Sequence, residues 1–107
     1  HWYDLSLGSS NYHLCMTASR QKQELSIGIY IPDNKPQFNI FKNHSNEIEE
    51  ALGCKLEWKE AAKATRFLTI KDFDLDSKEL WKEAFDWFYQ MCLKFKSTLK
   101  SIDVSLK

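Results

Sequence analysis

The feature that most constrains this chain is strict alternation of apolar and polar residues through its first 31 positions. Tyr3, Leu5 and Leu7 alternate with Asp4 and Ser6; Tyr12, Leu14, Met16 and Ala18 alternate with His13, Cys15 and Thr17. Leu25, Ile27, Ile29 and Ile31 then share one side, opposite Ser26, Gly28 and Tyr30. Side chains along a strand point to opposite faces in turn, so each segment has one apolar side and one wet side. The stretches 8–11 and 19–23 are rich in turn-forming and polar residues. Three strands joined by short turns predict an antiparallel meander with one solvated face.

Beyond Pro32 the period changes. Phe38, Phe41, Ser45, Ile48 and Leu52 recur at steps of three and four, with Pro36 in the first turn and Gly53 as the stop. Leu56 and Trp58 alternate with Lys55, Glu57 and Lys59 in a fourth strand, and residues 60–64 turn the chain. Arg66, Leu68 and Ile70 read as the inward side of a fifth strand. Asp76 and Glu79 have capping-box spacing before the longest helix, whose apolar stripe is Trp81, Phe85, Phe88, Cys92, Phe95 and Leu99. Leu80, Ala84, Trp87 and Met91 broaden it. The order β-β-β-α-β-β-α predicts an α+β fold with two layers, a five-stranded, mainly antiparallel sheet carrying two helices on one face.

Composition narrows the function classes. In 107 residues, 15 Lys and Arg balance 15 Asp and Glu, which leaves nucleic acid unsupported as a partner, since counterion displacement needs a basic surface. No apolar run reaches membrane-spanning length. Cys15, Cys54 and Cys92 form no CxxC pair and share no ligand spacing with His1, His13 or His44, so no metal or cofactor is expected, and reduced cysteines fit a cytoplasmic setting. The chain enters its first strand at once and begins with His, so residues 1–107 read as one domain, the C-terminal fragment of something longer.

Candidate chemistry is sparse. Glu57-Trp58-Lys59 matches the acidic-x-Lys triplet with which restriction-type nucleases hold Mg²⁺, but the element before it is a helix, so Glu47, Glu49 and Glu50 sit on a helix surface rather than at a strand end. His13 and Cys15 point the same way from one strand, which fits a solvated histidine beside an ordinary thiol better than a nucleophile pair. Arg66, read as inward, calls for a carboxylate among Asp72, Asp74, Glu83 and Asp86. The Asp72, Asp74, Asp76 alternation lacks the glycine and terminal glutamate of a calcium loop. Trp2, His13, Tyr30 and Phe67 read as outer-face residues and form the expected binding surface.

Five segments together resemble one bacterial family: residues 1–10 (HWYDLSLGSS), 24–31 (ELSIGIYI), 47–58 (EIEEALGCKLEW), 64–70 (ATRFLTI) and 79–88 (ELWKEAFDWF). They are similar, in order and over nearly the whole chain, to domain of unknown function 4268. The resemblance implies a C-terminal domain, often joined to an N-terminal region resembling a restriction endonuclease, with a helix carrying a Phe-Trp pair before the first strand. This chain lacks that helix. Because the family has no established activity, the resemblance carries over no catalytic residue. The expected function is a non-catalytic accessory or protein-interaction domain, partnered by the N-terminal domain of its own protein or by a second copy. The alternatives are a degenerate Mg²⁺-dependent nuclease using Glu57 and Lys59, or a nucleic-acid-contacting module using the polar sheet face with Lys94, Lys96 and Lys100.

Overall fold

The alternating segments form β1 (Trp2–Ser6), β2 (His13–Ser19) and β3 (Glu24–Pro32) in the computed structural model, which describes residues 2–103, the Trp2 side chain excepted. The expectation that Trp2 presents its ring on the outer face falls outside the described residues. Two helices follow, α1 (Lys35–Asn43) and α2 (Ser45–Leu52), then β4 (Glu57–Glu60), β5 (Ala64–Asp72) and α3 (Trp81–Ile102). The fold is α+β: one antiparallel sheet in the order β1-β2-β3-β5-β4, with the helices packed on one face. Among the described residues no helix is long and apolar enough to cross a membrane.

The first helical stripe is two helices rather than one. Asn34 caps α1 by accepting the Gln37 N–H at 3.1 Å. At His44 the backbone N–H bonds the Phe41 carbonyl, three residues back, while the ring lies 2.9 Å from the Ile40 carbonyl oxygen. That tighter turn redirects the chain, yet Phe38, Phe41, Ile48 and Leu52 are all buried. The break is invisible in the sequence because helical spacing continues across it. Gly53 ends α2 at φ +76°, a left-handed conformation that glycine adopts without penalty.

Three other expectations are corrected. Strand β5 faces the opposite way: Thr65, Phe67 and Thr69 point into the core, and Arg66 lies exposed on the outer face. Phe67 is thus fully buried, stacked on Trp58 at 4.5 Å and edge-on to Phe41 at 5.6 Å, so it forms no binding surface. Among the described residues no carboxylate lies within ion-pair reach of Arg66; an exposed guanidinium keeps its hydration and needs none. The buried line of α3 is Ala84, Met91, Phe95, Thr98 and Leu99, which leaves Trp81 and Phe85 exposed. Finally, Asp76 accepts from Arg20 at 3.1 Å instead of capping, and a 3-10 turn (Lys78–Leu80) leads into α3.

The main core gathers Leu14, Ile27, Ile29, Ile31 and Phe67 from the sheet with Phe38, Phe41, Ile48, Phe95 and Leu99 from the helices. A satellite cluster of Leu25, Leu75 and Ala84 lies under the loop before α3. Tyr12 closes the main core, its ring edge-on to Phe41 at 5.1 Å and its hydroxyl donating to Asp103 Oδ2 at 2.7 Å. Burial first, and then the Asp103 carboxylate, raise the Tyr12 phenol well above its ordinary value. A raised folded-state pKa gives stability that is present below the unfolded value of about 10 and lost as pH rises beyond it. Tyr12→Phe should therefore cost about 1–2 kcal/mol near neutral pH. Above about pH 10 the wild type should lose stability relative to this variant, which urea midpoints at increasing pH will show.

Candidate interaction groove

The inner face of β1 is left uncovered. Tyr3 pairs with Met16 and Leu5 with Leu14, so the alternation that buries Leu14 also aims Tyr3 and Leu5 toward the helix layer. The helices lie instead over β3 and β5, where α1 meets Phe67 and α3 brings Phe95 down. Tyr3 is consequently 71% exposed.

Between β1–β2 and α3 runs an apolar groove of about 1000 Å³. Its floor is Tyr3, Leu5, Met16 and Ala18, and its wall is Trp81, Phe85 and Phe88 from α3. Phe85 is 68% exposed. Gln23 ties two of the lining segments together: its amide nitrogen donates to the Arg20 carbonyl at 2.6 Å and its amide oxygen accepts the Leu75 N–H at 2.8 Å. Leu75 is thereby seated beneath the groove, and its carbonyl accepts the Trp81 indole N–H at 3.2 Å. Arg20 and Gln21 add a polar rim. Trp81 and Phe85, expected in the core from the apolar stripe of α3, line this groove instead. The signal that could have found the groove is the surplus: α3 carries more large apolar residues than one helix face can bury.

The outer sheet face brings some of the expected residues together. One cross-strand row runs Ser6, His13, Tyr30, Arg66, Lys59, and the next runs Asp4, Cys15, Gly28, Leu68, Glu57. The His13 and Tyr30 rings lie 5.3 Å apart, and His13 Nε2 is 3.5 Å from Asp4 Oδ1. Burial first, then the Asp4 carboxylate beside it, push the Cys15 thiol up, while Thr17 and Arg66 oppose the rise. The net result holds the thiol protonated, which is the reverse of what a nucleophile needs. Glu57 and Lys59 stand exposed on the edge strand β4, with Leu68 and Arg66 as their paired neighbours. Among the described residues no three His, Cys, Asp or Glu side chains come together as a metal site. Among the described residues Glu57 is therefore not part of a group of three or more such ligands.

Comparison with known proteins places this arrangement in one family. A family model described as Domain of unknown function (DUF4268) matches residues 1–103. No curated protein and no solved structure matches the chain.

Proposed function

The chain belongs to the DUF4268 family, and from that premise we propose that it is a non-catalytic interaction module whose α3–β1 groove receives an apolar element of a protein partner. One observation carries the reading: Tyr3 and Phe85 face a common apolar groove from opposite sides while remaining 71% and 68% exposed. Contiguous exposed apolar surface with a polar rim marks interaction sites, because leaving it in water forfeits roughly 25 cal/mol per Å². The module serves as the accessory part of a longer bacterial protein, beside a region that performs the chemistry. The outer sheet face is the weaker candidate surface, since acidic Asp4 and Glu57 flank its His13–Arg66 row.

A photo-crosslinking amino acid placed at position 85 tests the reading in cells. Irradiation should give a covalent adduct with a polypeptide. The same group at position 59, on the far sheet edge, should give none. Absence of any polypeptide adduct from position 85 would refute the groove as an interaction site.

A further inference from the structure

We propose that the occupant of the groove side is a second copy of this chain, docked α3 against α3 in antiparallel orientation; the inference rests on reading the groove as an interaction site. Beyond its buried line, α3 carries a second apolar stripe, Trp81, Phe85, Tyr89 and Leu93, at steps of four residues. Their exposures are 43%, 68%, 62% and 45%. Residues four apart stack on one helix face, so the stripe is a continuous ridge of the kind helices interdigitate. It borders the groove, whose far side is β1.

The charges along the helix select the orientation. Residues 78–91 carry Glu79, Glu83 and Asp86 against Lys78 and Lys82, a net negative end; residues 92–103 carry Lys94, Lys96 and Lys100 against Asp103 alone, whose carboxylate is engaged by Tyr12, a net positive end. Lys96 and Lys100 line a shallow depression with Leu93, extending the stripe. A parallel pair would set lysine end on lysine end. An antiparallel pair about a two-fold axis sets each lysine end on the other copy's acidic end, and the helix dipoles oppose as well.

The area suffices. At about 200 Å² per aromatic side chain, the exposed shares of Tyr3, Trp81, Phe85 and Tyr89 come to roughly 500 Å² per copy. Leu5 and Leu93 bring the total over two copies to about 1,200 Å², where specific interfaces begin. The sheet edges differ in the same sense. Edge strand β4 reads Glu-Trp-Lys-Glu, three charges in four residues, which blunts pairing. Edge strand β1 reads Trp-Tyr-Asp-Leu-Ser, with neither Lys nor Pro, and it lies on the groove side.

Light scattering on the 107-residue chain from micromolar to hundred-micromolar concentration is the test. The mass should rise from 12.6 kDa toward twice that value. Phe85→Glu should weaken association by at least about tenfold. Lys96→Glu with Lys100→Glu should weaken it too, and adding Glu79→Lys with Glu83→Lys to the same chain should restore it. A mass constant at 12.6 kDa, or Phe85→Glu associating like wild type, overturns the proposal. Failure of the four-charge variant to recover overturns the antiparallel orientation. If the chain stays monomeric while position 85 still crosslinks to a different polypeptide, self-pairing is refuted and the groove reading stands. If position 85 captures no polypeptide, both fail.

Discussion

Phe67→Ala should destabilise the domain by about 3–5 kcal/mol, the cost of emptying a large aromatic site that its surroundings cannot refill. Phe67 is fully buried in the strand between β3 and β4, and it meets rings from three other elements of the core at once. Trp58 stacks on it at 4.5 Å, Phe41 meets it edge-on at 5.6 Å, and Phe95 approaches from α3 at 6.4 Å. Relaxation is limited because two of these partners are aromatic rings on helices anchored elsewhere. Against a typical stability of roughly 5–15 kcal/mol, the variant should unfold at much lower denaturant, and a chemical melt measures the difference. A midpoint within error of wild type would mean that β5 faces the other way. Leu68→Ala, on the half-buried outer face, supplies the contrast and should cost distinctly less.

Gly28→Ala should be costly although it adds a single methyl group. Gly28 sits mid-strand in β3 and is buried between Cys15 of β2 and Leu68 of β5. A Cβ built there would overlap the Phe67 carbonyl oxygen and lie 2.5 Å from Leu68 Cβ. The obstructing atoms include backbone of the neighbouring strand, so no flexible side-chain end can swing away to make room. The strands must separate or the pairing must shift, which costs about 3 kcal/mol. Thermal melts of the variant, with amide exchange along β5, should show a lowered midpoint and lost protection beside residue 28. Unchanged protection there would disprove the close approach.

The two substitutions also mark where the sequence was legible. The meander could be read because β1–β3 obey a period of two with few exceptions. The element order and the α+β class followed from that and from the change of period after Pro32. Strand β5 misled because both of its faces carry apolar groups: Leu68 and Ile70 outweigh Thr65 and Thr69 on any hydropathy scale. The phase is decided by Phe67, whose ring fits between Trp58 and Phe41, a tertiary preference with no local signature. Thr65 tolerates the inner position by donating its hydroxyl to the Ile31 carbonyl at 3.5 Å.

On α3 the difficulty was abundance. Apolar residues occupy so much of the helix circumference that periodicity alone cannot select the buried line. The selection comes from the sheet, because the helix seats where Leu25, Ile27 and Phe67 receive Ala84, Met91 and Phe95. The surplus of apolar residues on α3 signals an uncovered face, but which residues form the groove is the remainder of that choice and is fixed only by the packing. His13 and Tyr30, by contrast, were correctly placed on the outer face by alternation alone, and they are neighbours there.

The strand order has a consequence for how the domain assembles. Strands β1, β2 and β3 are joined by short turns, so their contacts are local and quick to form. Strand β5 pairs with β3 from Pro32–Ala64 to Glu24–Asp72, and it reaches that place only after α1, α2 and β4 have been traversed. Closing that long loop costs chain entropy before any long-range contact repays it. Until β5 arrives, the early hairpins present the free edge of β3, with Ile27, Ile29 and Ile31 along it, to any other unfinished chain. Pairing of β5 with β3 closes the longest loop of the sheet, and it converts the exposed edge of the early meander into the sheet interior. In chain order the meander precedes the strand that shields it, so during synthesis the β3 edge is made before its partner.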